Sequence, residues 1–325
     1  MLRRILLVGG VLLLVYLLWR LGPGEIISLL GQIGWYAPLI MALYAAHHAV
    51  RALALHWCVL RRGILRYSDA LSIRLSGEAV HSLTWTGPFL AEPTRAWLLK
   101  RRGLTLQEGF AATITEYLIN AFVITAMSIA GLALLLWRFE PSGAVSGVAI
   151  AMIVIFAAFL LSAAIAISRR FYLIGTIISG LARLGILRGR LRPDMTWINR
   201  MEDMLLAVLG DRPRLIAVAL LEILAQVFLL MELYSLLDAL EMGATALYAF
   251  VIESSMKIIG VAFPFVPLHV GVAEGGYAVV FDTVGLPAAA GFAVAFVRRL
   301  RSLVVASVGL ALLAYLTREE PARLR

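Results

Sequence analysis

The sequence predicts an all-α fold: a polytopic transmembrane helical bundle of about six spans plus two re-entrant helical hairpins, arranged as an inverted repeat. Three observations lead there. The 325-residue chain is 62% hydrophobic and only 15% charged, where soluble domains average roughly a quarter charged residues. Several apolar stretches approach ~20 residues, the length that crosses a ~30 Å hydrocarbon core. Finally, one pattern is written twice. "EPTRAWLLKRRGLTLQEGFAATITE" at 92–116 returns 182 positions later as "EGGYAVVFDTVGLPAAAGFAVAFVR" at 274–298. Glu92 then aligns with Glu274, Gly103-Leu104 with Gly285-Leu286, and Gly109-Phe110-Ala111 with Gly291-Phe292-Ala293. The last pair sets Glu116 over Arg298.

Taken in order, the first predicted span is 5–21. It follows Arg3-Arg4 like a signal peptide, but no small-x-small site follows at 19–24, so it reads as uncleaved. The second span is 35–60. Residues 70–84 and 89–100 are apolar helices split by "TWTGP", and at ~1.5 Å per residue neither reaches ~30 Å. They read as a hairpin that dips into the membrane and returns, broken at Gly87-Pro88. Spans at 107–137 and 144–168 follow. The segment 171–212 alternates Arg with Leu, Ile and Trp197, as in helices lying on an anionic lipid surface; a solvated linker is the other reading. After a span at 213–238, a second hairpin runs 249–263, "PFVPLHVG", 272–283, and the last span is 287–316. All of it reads as one membrane domain, 1–325, with repeat halves 1–140 and 141–325.

Charge placement orients this layout. Loops around 3–4, 61–66, 100–102, 169–214 and 318–325 carry 20 of the 29 Lys/Arg, whereas the opposite side has only Arg20 and Arg138. That bias predicts an inner (plasma) membrane protein with both termini cytoplasmic. Three spans and a hairpin per half then insert the second half upside down, as in many secondary transporters. The net charge of +9 belongs to these loops rather than to a nucleic-acid face. The single cysteine, Cys58, excludes intrachain disulfides and cysteine-ligated metal sites; neither a metal nor a cofactor is expected.

Seven basic residues lie within membrane segments, where one ionisable group costs about 2.5–3.5 kcal/mol on insertion scales. Such groups must pair with one another or face water. Arg74, Glu78 and His81 share a face of the first hairpin arm; Glu92 opens the returning arm with Arg95 one turn on. Glu116 and Asn120 share a face of the next span. Glu253 and Lys257 form an i,i+4 pair, Glu274 opens the second returning arm, and Arg298, Arg299 and Arg301 sit in the final span. Together these residues predict a central polar groove suited to a zwitterionic or charged lipid headgroup. Glu253–Lys257 also reads as a plain buried pair, and Glu222 and Gln226 as a stripe that glues helices. His47, His48 and His56 read as packed or interfacial histidines. Ser254-x-x-Lys257 has the spacing of a serine–lysine nucleophile, but no partner motif follows. A membrane-embedded transferase with Glu92 or Glu274 as base, and a non-catalytic scaffold working with lipid-biosynthesis enzymes, stay open beside a translocator.

At these residues the chain resembles the transmembrane region of lysylphosphatidylglycerol synthetases, a family of flippase-like membrane proteins. The resemblance runs over about residues 5–316. Its first mark is Pro88-Phe89-Leu90-Ala91-Glu92-Pro93-Thr94-Arg95, followed by Glu116; its second is Gly271-Val272-Ala273-Glu274, followed by Arg298 or Arg299. The chain departs from the family pattern at Ala91, at His269-Val270 and at Asn120. In the family's aminoacyl-lipid synthetases the membrane part moves a lipid that a separate soluble domain makes. The resemblance therefore implies a stand-alone translocator, or a lipid-binding partner in an envelope-lipid pathway, with a hopanoid-type lipid as one cargo.

Overall fold

The computed structural model describes residues 23–318, apart from 62, 85–86, 170, 185–193, 244, 264–265 and 267–268. The described residues form twelve helices and no strand. Five are long and apolar enough to cross a membrane: α2 (Ala37–Cys58), α5 (Leu106–Phe139), α6 (Gly143–Ser168), α9 (Arg212–Ala239) and α12 (Ala288–Arg318). They match five of the six expected spans; the sixth, 5–21, lies outside the described residues. A helix that the sequence reading had not assigned, α1 (Pro23–Gly34), precedes them and packs on α12 and α9. Its start at Pro23 suits a residue whose missing N–H costs nothing in a first turn.

Both segments expected as hairpins form a pair of packed helices. The first is α3 (Tyr67–Leu83) and α4 (Pro88–Arg101); the second is α10 (Ala246–Ala262) and α11 (Val272–Thr283). Each arm is 12 to 17 residues, or roughly 18–26 Å at ~1.5 Å per residue, short of a bilayer core. Each returning arm starts behind a positive-φ glycine, Gly87 at 47° and Gly271 at 79°. Each ends in the same Schellman turn. Leu104 N–H bonds Leu99 O at 3.4 Å, and Leu286 N–H bonds Phe281 O at 2.8 Å, across Gly103 and Gly285 with φ of 96° and 80°. Those residues keep the 182-residue offset of the sequence pattern.

The hairpins have their outer ends at opposite ends of the bundle. Arg101, at the end of α4, donates to Thr317 O near the end of α12. Phe139, at the end of α5, stacks edge-on with Tyr248 at the start of α10. The arms then cross over: α3 packs on α12, and α10 packs on α5. Glycine allows both approaches, since Gly309 meets the α3 backbone at Leu75 and Gly131 meets Ser254. Gly109 and Gly291 do the same for the returning arms, lying against the carbonyls of Ala96 and Tyr277.

Two large apolar cores result, one toward each end, beside a small cluster of Tyr44, Leu229 and Val305. Leu55, Ile73, Leu98, Leu99, Ile119 and Val218 belong to one; Leu132, Leu233, Ile252, Phe281 and Val294 belong to the other. Between them, α2 packs against α9 and carries polar side chains. Helix α6 stands outside, with only 6% of its apolar window buried, as a helix facing lipid does.

The 171–212 segment contributes α7 (Leu173–Arg183) and α8 (Met195–Gly210). Helix α8 is not free on a surface. Met201, Leu205 and Leu209 join the first core, and Trp197 stacks edge-on with Phe110 of α5. Buried Glu202 accepts the Ile174 and Gly175 N–H groups at 2.9 and 3.0 Å, tying α7 to α8 by its open N-terminus. Ile177 of α7 stays exposed.

Candidate functional site: two intramembrane charge networks

Most charged side chains inside the bundle fall into two networks. The first spans five helices. Arg51 of α2 donates to Glu116 of α5 at 2.6 Å and reaches Glu222 of α9 at 3.2 Å. Arg74 of α3 also donates to Glu116, at 3.1 Å, and lies 3.8 Å from Glu78. Arg95 of α4 continues the chain to Glu78 at 3.8 Å and to Glu92 at 2.5 Å. Asn120 closes it: oriented by its neighbours, its amide donates to Glu222 at 3.0 Å and accepts from Arg51 at 3.2 Å. Glu116 is the hub, fully buried between two guanidiniums.

The second network centres on a cation. Arg298 of α12 donates to Glu253 of α10 at 2.5 Å, to Glu232 of α9 at 3.2 Å and to the Leu229 carbonyl at 3.1 Å. It also donates to the Tyr277 hydroxyl of α11. Lys257 holds the far side of Glu253 at 2.6 Å. Arg301 pairs with Glu232 and lies 3.8 Å over the Tyr44 ring. Beside this network, Arg299 holds Glu274 at 2.5 Å. Glu274 also accepts the Gly271 N–H at 2.9 Å, so it caps α11 as well as pairing.

The profile of the lysylphosphatidylglycerol synthase transmembrane region matches residues 2–309. The chain belongs to that family. No curated relative and no solved structure matches it.

In this lysylphosphatidylglycerol synthase transmembrane region, the residues singled out from sequence are distributed as follows. Arg74, Glu78, Glu92, Arg95 and Glu116 meet in the first network; Glu253, Lys257 and Arg298 meet in the second. Glu274 and Arg299 form a pair of their own, so Glu92 and Glu274 each have a separate arginine. His81 sits half-buried at the end of α3, within electrostatic reach of His269 from the other hairpin's tip. The family's departures from pattern are also placed: Asn120 joins the first network, and His269 takes a positive φ of 49°.

Sequence reasoning missed Arg51, Glu232 and Tyr277 as site members and took Glu222 for helix glue. Arg51 and Glu232 carry the same signal that found Glu116: a charge inside an apolar span. Tyr277 carries no such signal, because a tyrosine in an apolar arm reads as packing. His47 and His48 are packed as expected, with His47 Nδ1 2.9 Å from the Ala225 carbonyl. Among the described residues no cluster of His, Cys, Asp or Glu suits a metal ion.

Several buried polar atoms in these networks have no partner, including Glu92 Oε2, Glu232 Oε1 and the Nε of Arg74, Arg95, Arg298 and Arg299. In a medium without water each such atom is costly.

Proposed function

We propose that this protein is a lipid translocator of the inner membrane, with both termini cytoplasmic. A lipid's polar headgroup would cross between the two charge networks while its tails stay in the bilayer. The observation that carries this reading is the concentration of buried charge on and beside the short helices of the two hairpins. The two hairpins are read as re-entrant, one from each face, and the halves as an inverted repeat. The matched Schellman turns, the opposite outer ends and the crossed packing of α3 on α12 and α10 on α5 support that reading. In such an architecture, rocking one half against the other alternates access to the shared middle. Arg298, Arg299, Arg95 and Lys257 suit phosphate or carboxylate oxygens; Glu92 and Glu253 suit an ammonium or hydroxyls. A hopanoid-type lipid with a polar head fits the same chemistry.

The test is mass spectrometry of lipids retained by gently purified protein, wild type beside Glu92→Ala and Glu274→Ala. A defined lipid enriched on wild type and lost from both variants is the expected result. Bulk lipid in bulk proportions on all three would remove the headgroup site and favour a scaffold. A retained lipid that is chemically altered after incubation would point to a transferase instead.

A further inference from the structure

The first network holds three arginines, Arg51, Arg74 and Arg95, against four glutamates, Glu78, Glu92, Glu116 and Glu222. Of the two fully buried carboxylates among them, Glu116 and Glu222, Glu222 is the less compensated. Its cationic contact is Arg51 Nε at 3.2 Å, and that same N–H lies 3.1 Å from Glu116 Oε1. Arg51 Nη2 then goes to Glu116 at 2.6 Å. Glu116 has Arg74 as well, and Glu92 has Arg95 at 2.5 Å. Glu222 is fully buried, and its Oε1 has no donor among the described residues. One turn on along α9, Gln226 Oε1 is in the same position. A proton is the one partner that needs no room.

Apart from the neutral Asn120 amide, which donates to Glu222 Oε2 at 3.0 Å, the surrounding groups offer no other place for that charge to be met. His48 is buried with neither ring nitrogen bonded, a setting that a charged imidazolium would not tolerate. His47 donates or accepts only at Ala225 O. No ion pair among the described residues joins this network to the second one, whose Lys257, Arg298 and Arg301 bind their own carboxylates. Two carboxylates that share one donor in a dry site favour a shared proton over two full charges.

We propose that the Glu116–Glu222 pair is a proton-binding site, with one exchangeable proton held on Glu222. Such a site lies beside the hairpin arms and links α9 to α2 and α5. It supplies what proton-coupled movement of a lipid would require; that coupling rests on the translocator reading, whereas the proton site does not.

The experiment is infrared spectroscopy of the full chain in nanodiscs at neutral pH, in H2O and D2O. Wild type is expected to show the carbonyl stretch of a protonated carboxylic acid, shifted in D2O. Glu222→Gln should lose that band and keep the wild-type melting temperature, because a neutral amide replaces a neutral acid. Glu116→Gln should also lose it, since Glu222 then takes Arg51 alone and ionises. Glu78→Gln should keep it. Absence of the band in wild type, or its survival in Glu222→Gln, overturns the proposal whatever lipid the protein moves. The wild-type spectrum decides by itself if a variant does not fold.

Discussion

The two charge networks are built at matching places and with opposite signs. Glu116 is the hub of the first, held by Arg51 and Arg74; Arg298 is the hub of the second, held by Glu253 and Glu232. The two positions are 182 residues apart, the offset at which the sequence pattern repeats. With every group charged, the first network carries one surplus carboxylate and the second one surplus cation. The repeated sequence pattern thus keeps the place of a hub without keeping its charge.

The largest expected effect comes from removing a hub. Glu116→Ala leaves Arg51 and Arg74 without their closest counter-charge, and Arg298→Ala does the same to Glu253 while Glu232 keeps Arg301; breaking a buried pair costs about 3–5 kcal/mol. Thermal unfolding in detergent should show both variants strongly destabilised. If only one is, the networks are not equivalent and the comparison breaks. The next effect tests the backbone that places the hubs. A methyl on Gly109 would come within 2.6 Å of Ala96 O, and one on Gly291 within 2.6 Å of Tyr277 O. Gly109→Ala and Gly291→Ala should each cost about 1–3 kcal/mol by overpacking, and by similar amounts if the halves share one build.

Smaller still, Gly103→Ala and Gly285→Ala force a side chain into left-handed backbone at φ of 96° and 80°. Each should cost about 1–2 kcal/mol. The smallest effect sets the baseline outside both networks. Arg61 binds Glu108 at 2.7 Å but is 45% exposed at the end of the bundle. Arg61→Gln should change stability by no more than about 1 kcal/mol, and by less at high salt. A larger value there would mean that charge strengthens this protein everywhere, not only at its hubs.

Glu92 and Glu274 show where sequence and structure parted. Both open a returning arm in the repeated pattern, and sequence gave them one role. In the fold, Glu274 is a helix cap held by Arg299, whereas Glu92 lies deeper in its arm and ends a five-helix chain of ion pairs. Their difference depends on backbone hydrogen bonding at Gly271, which no pattern of side chains records. In the 171–212 segment the fold adds packing that composition leaves open: Met201 and Leu205 of α8 enter the first core, and Trp197 stacks on Phe110 of α5.

By itself the sequence determined five of the spans, the helices of both hairpins and most of the buried charges. Those follow from local rules: apolar length, Pro and Gly at breaks, and the rarity of a charge in an apolar run. Only the tertiary structure decided which charge meets which. Arg51, Glu116 and Glu222 come from α2, α5 and α9, and no spacing along the chain encodes that meeting. It is set by helix packing across glycines, because a buried charge takes the partner that the backbone brings within about 3 Å.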